Sequence, residues 1–565
     1  MKNYILKFIF PFAMIFISGN SYAQSWLWSQ NSIGSGEGFS VATDPAGNVF
    51  VTGAYAQPTI AFGPYTLTNT NNSGNSGEIF LVKYDATGNI LWARNAGGTN
   101  NDMAWNVTAD ANGNSYITGN FTSSSTTFGS ITLTNSGTQS AFVAKYDPSG
   151  NVVWATNPTT TGTSCGYGVS VDPSGNVFVS GAFDAPSIVF GLFTLNGNGY
   201  NDCFIAKYNS SGNVQWAKSA GGANPESAQG ISADMNGNAY VTGHFASSSI
   251  TFGSNTITTS GQSVFLTKYD SLGNNLWAKA SVGGFNAAYG NSVSADPFGN
   301  VFITGNYTDT VVFDTDSLIC TGLATSSADA DQEVFTVKYE AAGNVLWARG
   351  SLPLGPGGFT HNSYSVASDG AGNAYIVGGF FNPTPPPQII FYPDTFVSTN
   401  IDALFIVKYD PFGNILCADY LTSGGDDNNG VCANAAGDVY IASDFFEANF
   451  IVGQDTLHSA MGEQVFVSKY LCGPAALDEE NANGQITIFP NPSDGKFELE
   501  INNFGNGKNE IEIYNTLGEI IFQSKIQSRD IGIKSEIDLT DKPNGIYFVR
   551  IASGEKNYYA KIVKQ

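Results

Sequence analysis

The feature that most constrains this chain is an internal period. Seven apolar strands ending in Lys-Tyr stand at Lys83, Lys145, Lys207, Lys268, Lys338, Lys408 and Lys469, with spacings of 62, 62, 61, 70, 70 and 61 residues. A unit repeated at this interval buries its apolar face against its neighbours, so the fold must be an array of like units. Most copies run on as Asp-x-x-Gly-Asn and then a strand carrying Trp-Ala, as from Asp85 to Ala93. The Trp recurs as Trp92, Trp154, Trp216, Trp277 and Trp347, and Cys417 takes its place once.

A second turn of the same kind lies upstream in each copy, for example Asp172-Pro173-Ser174-Gly175-Asn176. In such a turn Asp accepts backbone hydrogen bonds, Pro presets φ, and Gly supplies the left-handed conformation that closes a short hairpin. The spacing lacks the later bidentate Glu of an EF-hand calcium loop, so these are read as turns. Each repeat is then four antiparallel strands with a longer connection in the middle, which is the composition of a propeller blade. With 65 Gly, 40 Phe and only 12% charged residues, the chain favours strands over solvated helices. The last copy stops after its third strand at Lys469-Tyr470, while Leu27-Trp28-Ser29 supplies the missing fourth. The expectation is an all-β chain: a seven-bladed β-propeller over residues 24–472 closed by the N-terminal strand, a linker over 473–484, and a small Ig-like β-sandwich over 485–565.

The N-terminus reads as a signal peptide over residues 1–23. Lys2 and Lys7 precede the apolar run Ile9 to Ile17, and Ser21-Tyr22-Ala23 offers small residues to a signal peptidase. No later segment is apolar enough to be a transmembrane helix. The formal charge is −24, and between Gln24 and Gln485 the eleven Lys and Arg all occupy two repeated positions. These are the seven strand Lys and Arg94, Lys218, Lys279 and Arg349, whose regularity implies structural pairing with neighbouring turn Asp. No basic patch is left for nucleic acid. No cofactor is predicted; calcium is the cation that the acidic surface suits. Six Cys in an exported chain allow fifteen pairings, and Cys417 with Cys432, which closes a short loop, is the disulfide expected.

Function is expected where the repeats differ. The connections from the fourth strand of one repeat to the first of the next vary most: Gly97 to Trp105, Asn157 to Tyr167, Gly221 to Gln229, Gly283 to Asn291, Leu352 to Tyr364 and Gly424 to Asn429. Variation on a rigid scaffold is where binding is usually carried. The ligand-binding candidates there are Asp102, Trp105, Glu226, Tyr289, His361, Asp426 and Asp427, with aromatics able to stack on sugar rings and acids able to hold a hydroxyl or a cation. No catalytic constellation is found, since His244, His361 and His458 lie in three different repeats. A non-enzymatic binding or scaffold protein is the expectation, with extracellular polysaccharide or a surface protein as ligand.

Asp-Pro-x-Gly-Asn-Val-Phe-Val-Thr/Ser-Gly together with Lys-Tyr-Asp-x-x-Gly-Asn-x-x-Trp-Ala resembles the bacterial seven-bladed β-propeller repeat family, SBBP, over about residues 26 to 470. The resemblance implies a fold and an exported setting but no uniform activity. Asp-x-x-Gly-x-x-x-Trp also resembles the tryptophan-docking turn of quinoprotein dehydrogenases. That alternative implies an extracellular propeller enzyme using pyrroloquinoline quinone and calcium.

After Cys472 the composition changes, and alternating strands appear at Phe497 to Ile501, Ile511 to Tyr514, Ile520 to Ser524 and Tyr547 to Ile551. Asn515-Thr516-Leu517-Gly518 and Pro543-Asn544-Gly545 read as hairpin turns. This region resembles the type A sorting domain of the type IX secretion system through Pro490, Asn491 and Pro492 with Gly495, then Gly518, then Gly545 and Tyr547, and finally Lys561 and Lys564. The resemblance implies a partner in the secretion machinery, passage across the outer membrane, and release or attachment at the cell surface. A fibronectin-like adhesion module that stays on the protein is the alternative.

Overall fold

A computed structural model describes residues 22–70, 76–283, 288–320, 331–352, 360–381, 387–422, 429–459, 462–474, 486–489, 493–502, 507–515, 520–528, 532–553 and 556–564. The readings made for the signal peptide through Ser21, for Asp426 and Asp427, for Pro490 to Pro492 and for Gly518 lie outside the described residues. Every regular element described is a strand. Gln24–Cys472 forms one compact unit, and the residues from Gly473 onward belong to a second.

The repeats fold as read. Each of the first six makes an antiparallel four-strand arrangement in chain order, as in Asp102–Ala109, Ser115–Phe121, Ser140–Tyr146 and Val152–Thr156. A two-stranded hairpin fills the long connection of each repeat, for example Ser249–Phe252 with Asn255–Thr258. The hairpin of the second repeat also bonds to the outer strand of the first through Thr127 and Phe128. The turns close as their chemistry dictates: Asp44 Oδ1 accepts from the backbone N–H of Ala46 and Asn48 at 3.0 and 2.9 Å, while Oδ2 accepts from Asn48 Nδ2 at 2.7 Å. Both carboxylate oxygens are thus used within the turn itself.

The seventh sheet takes its fourth strand from the other end of the chain. Its order is Gly430–Ala433, Val439–Phe445, Gln464–Pro474 and then Tyr22–Asn31. First and last repeats also share one core, in which Val41, Val51 and Tyr55 pack with Tyr440, Ala442 and Val467. The first strand of each repeat neighbours that of the next, and the strand Gly430–Ala433 neighbours Glu37–Thr43. Side chains stitch these strands in one direction: Val107 N–H donates to Ser40 Oγ, Val169 N–H to Asn106 Oδ1, and Ala233 N–H to Ser170 Oγ, at 3.0 to 3.3 Å. Ala295, Val366 and Val431 donate likewise to Ser232, Ser292 and Ser365.

The repeated Trp explains a second set of links. Trp92 Nε1 donates to the carbonyl of Pro148 in the next repeat at 3.0 Å, and its ring lies against Gly150. Gly150 has φ +80°, and a Cβ there would stand 2.8 Å from the indole, so glycine is required for both conformation and space. Trp154, Trp216, Trp277 and Trp347 dock in the same way on Ser210, Ser271, Ala341 and Pro411, and Trp28 docks on Ala86 of the first repeat. Four of the strand lysines reach the same carbonyls, Lys83, Lys207, Lys268 and Lys338 donating to Pro148, Ser271, Ala341 and Pro411, and Lys408 donates to the equivalent carbonyl of Cys472. Their partner is therefore chiefly a turn carbonyl rather than the expected Asp, though Lys338 and Lys469 also pair with Asp296 and Asp438.

The expected disulfide is corrected. Cys417 pairs with Cys472, at a Cα–Cα distance of 6.3 Å, and Cys432 is a free thiol. Cys417 occupies the Trp position of the sixth repeat. Cys472 occupies the position, three after the strand Lys, at which the other repeats receive that Trp. Adjacency of the strands Ile415–Leu421 and Gln464–Pro474, rather than short loop length, selects the pair.

The second unit contains a three-stranded sheet, Ile486–Phe489, Lys496–Asn502 and Gly532–Asp538, and a four-stranded sheet in the order Ile520–Ser528, Gly507–Tyr514, Gly545–Ser553 and Lys556–Lys564. Phe497, Leu499, Ile511, Ile513, Ile537 and Val549 form its core. Three of these strands, Ile486–Phe489, Gly532–Asp538 and Lys556–Lys564, are additional to those read from sequence. In the last two the alternation is broken, by Ser535 between Ile533 and Ile537 and by the runs Tyr558-Tyr559-Ala560 and Ile562-Val563, which weakens the strand signal. Pro543-Asn544-Gly545 joins strands of different sheets and is not a hairpin turn.

Candidate functional site

A cavity of about 770 Å³ opens among the first strands of the seven repeats, within the range of roughly 300–1,000 Å³ usual for small-ligand sites. A β-bulge builds its wall. In each of the first six repeats the pairing of first and second strands slips by one residue at the same place, as between Ala104 and Asn106 or between Gly290 and Ser292. A bulge breaks the alternation of faces and re-aims one side chain. The bulged residues are Phe39, Trp105, Tyr167, Gln229, Asn291 and Tyr364, and all six line the cavity. Asn429, just ahead of the strand Gly430–Ala433, holds the same place in the seventh repeat.

The ring is divided. Phe39, Trp105 and Tyr167 come from three consecutive repeats, and Gln229 and Asn291 from the next two. Trp105 is fixed from two sides: Phe39 stacks on it with ring centroids 4.6 Å apart and planes at 23°, and its Nε1–H donates to Asn120 Oδ1 at 2.6 Å. Opposite, Tyr289 meets the His244 ring edge-on with centroids 4.9 Å apart. Burial lowers the His244 pKa to about 4, so this imidazole is neutral at physiological pH. No Asp, Glu, Lys or Arg lines the cavity among the described residues.

The candidates read from sequence separate into two groups. Trp105 and Tyr289 face the cavity. Asp102, Glu226 and His361 do not line it: all three are fully buried and hold the connections together. Asp102 accepts from Ser123 Oγ at 2.9 Å, and Glu226 accepts from the backbone N–H of Gly222 and Ser247 at 2.9 and 3.0 Å. His361 lies 3.0 Å from Glu333 through Nδ1 and 2.9 Å from the Gln388 carbonyl through Nε2. Ligand contact at these three positions is therefore replaced by loop anchoring. Tyr167, Gln229, Asn291 and Tyr364, where the variable connections end, were not singled out. Their signal is positional: each is the fifth residue before the Asp of the following turn, a column where the repeats disagree.

Pyrroloquinoline quinone with calcium does not fit this cavity, since among the described residues no carboxylate lines it to hold the cation and no Lys or Arg meets the quinone carboxylates. Among the described residues no group of three or more His, Cys, Asp or Glu stands together as a metal site.

Comparison with known proteins bears first on the second unit. Residues 487–565 match the secretion system C-terminal sorting domain. This tail is a type IX sorting domain, and the protein that carries it is secreted or displayed at the cell surface. Of the matched motif, the described part converges: the Tyr547 hydroxyl donates to the Pro543 carbonyl, Lys564 Nζ donates to the Lys542 carbonyl at 2.5 Å, and a Cβ on Gly495 would stand 2.9 Å from Thr540 Cα. Over 483 residues the chain is 25% identical to an uncharacterised WD repeat-containing protein of Acanthamoeba polyphaga mimivirus, covering 70% of this chain and 34% of that one. The chain thus spans about a third of the length of that relative. Among solved structures, a member of the DUF4221 family from Bacteroides vulgatus overlaps 81% of this chain and all of its own at 8% identity and a TM-score of 0.31. A sucrose-6-phosphate hydrolase from Lactobacillus gasseri overlaps 97% of this chain and 89% of its own at 7% identity and a TM-score of 0.23. Likenesses at these TM-scores carry no argument about fold or activity.

Proposed function

We propose that residues 24–472 form a seven-bladed β-propeller of the SBBP kind, carried out of a Gram-negative cell by the type IX route, which works outside as a binding or scaffold module. Its ligand is a polysaccharide or a surface protein, engaged at the central cavity. The cyclic succession of first strands and the shared core of the first and last repeats support the closed ring. The cavity carries the functional reading: a non-repeating set of side chains placed by repeating bulges, with no Asp, Glu, Lys or Arg in its lining among the described residues and a His244 imidazole that is neutral at physiological pH. Glycoside hydrolysis needs a pair of carboxylates beside the scissile bond, and the described lining offers none. Binding without turnover is the activity these residues suit.

The test is the melting temperature of the mature chain, scanned against polysaccharides, isolated surface proteins, calcium with a chelator control, and pyrroloquinoline quinone. A ligand that binds only the folded state stabilises it by about 2.7 kcal/mol at a hundredfold excess over Kd. A rise with a polysaccharide or a surface protein is expected. A joint rise with quinone and calcium overturns the non-enzymatic reading.

A further inference from the structure

The lining of the cavity specifies a ligand chemistry more narrowly than its position does. One arc is aromatic and rigid, centred on Trp105, which is held by Phe39 and Asn120. The facing arc is made of neutral groups with open hydrogen-bonding capacity. Gln229 Nε2 donates to Ser227 Oγ, and Asn291 Nδ2 donates to Asn306 Oδ1 and the Ser363 carbonyl. Among the described residues nothing donates to Gln229 Oε1 or Asn291 Oδ1, and the Tyr289 hydroxyl and the Asn362 amide have no partner. A purely apolar ligand would strip water from these groups and leave them unpaired, at about 1–3 kcal/mol each.

Charge and backbone narrow the choice further. An anionic ligand would lose hydration in a cavity whose described lining has no Lys or Arg to replace it. An extended peptide would need a free strand edge for main-chain pairing. Six backbone N–H groups along the first strands are already committed to side chains of the preceding repeat, Val107 to Ser40 and Val431 to Ser365 among them. What remains is a compact ring with an apolar face and a rim of hydroxyls that both donate and accept.

We infer that the cavity binds a neutral carbohydrate residue, with its C–H face on Trp105 and its hydroxyls toward Gln229, Asn291 and Tyr289. This rests on the reading of the cavity as the binding site and names the ligand class within it. The glycan binds through one uncharged pyranose or furanose ring at or near a chain end.

Titration calorimetry on the mature full chain tests this with neutral glucose, mannose and galactose oligosaccharides beside an oligogalacturonate. At least one neutral sugar is expected to bind, with the uronate at least tenfold weaker. Trp105→Ala should weaken the neutral sugar by about tenfold or more, as loss of a central aromatic anchor does. Gln229→Ala, which leaves the core untouched, should weaken it by roughly 3- to 10-fold, the range of one hydrogen bond. If Trp105→Ala does not fold, Gln229→Ala and Tyr289→Phe decide. Equal or tighter uronate binding overturns the inference, as does neutral-sugar binding that none of these variants weakens. If no sugar binds while a cavity-filling Gln229→Trp abolishes capture of a surface protein, the carbohydrate inference falls and the cavity reading stands. If no ligand of any class responds to Gln229→Trp, both fall.

Discussion

Asp102 sits fully buried at the start of a first strand, where its carboxylate collects Ser123 and the connection around it. Burial raises its pKa to about 6, and Asp202 is raised to about 6 in the same way, against about 3.9 for a free Asp. The folded state therefore keeps a proton that the unfolded state releases, so this stabilisation is full below about pH 4 and is lost as pH rises through about 6. His244 acts in the opposite sense: its pKa is lowered to about 4, so its contribution is present above about pH 6.5 and is lost as pH falls toward 4. We expect Asp102→Asn to gain on the parent chain by on the order of 2–3 kcal/mol between pH 4 and pH 7, read from urea unfolding at each pH. A constant gap across that range would show that Asp102 does not titrate between the two states. Asp102 and Glu226 stood out in the sequence because they lie in variable connections, and that signal does not distinguish a group that greets a ligand from one that ties a loop. The cavity residues were harder to see. A bulge leaves no composition mark, and Gln229 or Asn291 looks like any polar residue until the repeats are aligned on the following turn.

At the scale of elements, one contact recurs between neighbours: an aromatic side chain of one fourth strand seated on the next repeat's outer turn. Trp92 is 5% exposed and combines this seat with its hydrogen bond to Pro148. Trp92→Ala is expected to cost about 3–5 kcal/mol, measured by denaturant titration, with Gly150 left facing a void. At the sixth seat the covalent bond Cys417–Cys472 replaces the indole. Peptide mapping without reduction should recover Cys417 joined to Cys472, with Cys432 alkylated as a free thiol after unfolding. Cys472→Ser should cost about 2–4 kcal/mol, and reductant should lower the melting temperature of the parent chain but not of that variant. The turns, the strands and their number were legible because local chemistry repeats at a fixed spacing. The pairing was not, because Cys472 stands where the seventh repeat has already lost its turn. Only the rule that position three after the strand Lys receives the previous repeat's Trp reveals the match.

For the molecule as a whole, the decisive strand is Tyr22–Asn31, which pairs with Gln464–Pro474 from the far end of the same unit. Removing residues 24–31 leaves the seventh sheet with an open edge and takes Trp28 from its seat on Ala86. An exposed edge of this kind invites self-association, so the truncated chain is expected to aggregate in size-exclusion chromatography where the parent elutes as a single species. Removing residues 487–565 should do the reverse: the first unit keeps its melting transition and accumulates inside the cell, as fractionation would detect. The all-β class and the sorting tail were readable because both are written in repetition or in ordered motifs. The cavity was not, because its lining is brought together from seven repeats that lie far apart in the chain. One feature at the seam also bears on mechanics. The chain leaves the repeat array at Cys472, and a pull on its C-terminal end, from a secretion pore or a surface anchor, reaches the bond to Cys417 before it can peel Gln464–Pro474 from its sheet. The load passes into the sixth repeat as shear across a covalent rivet, so the pairing of Gln464–Pro474 with Tyr22–Asn31 is shielded from unzipping.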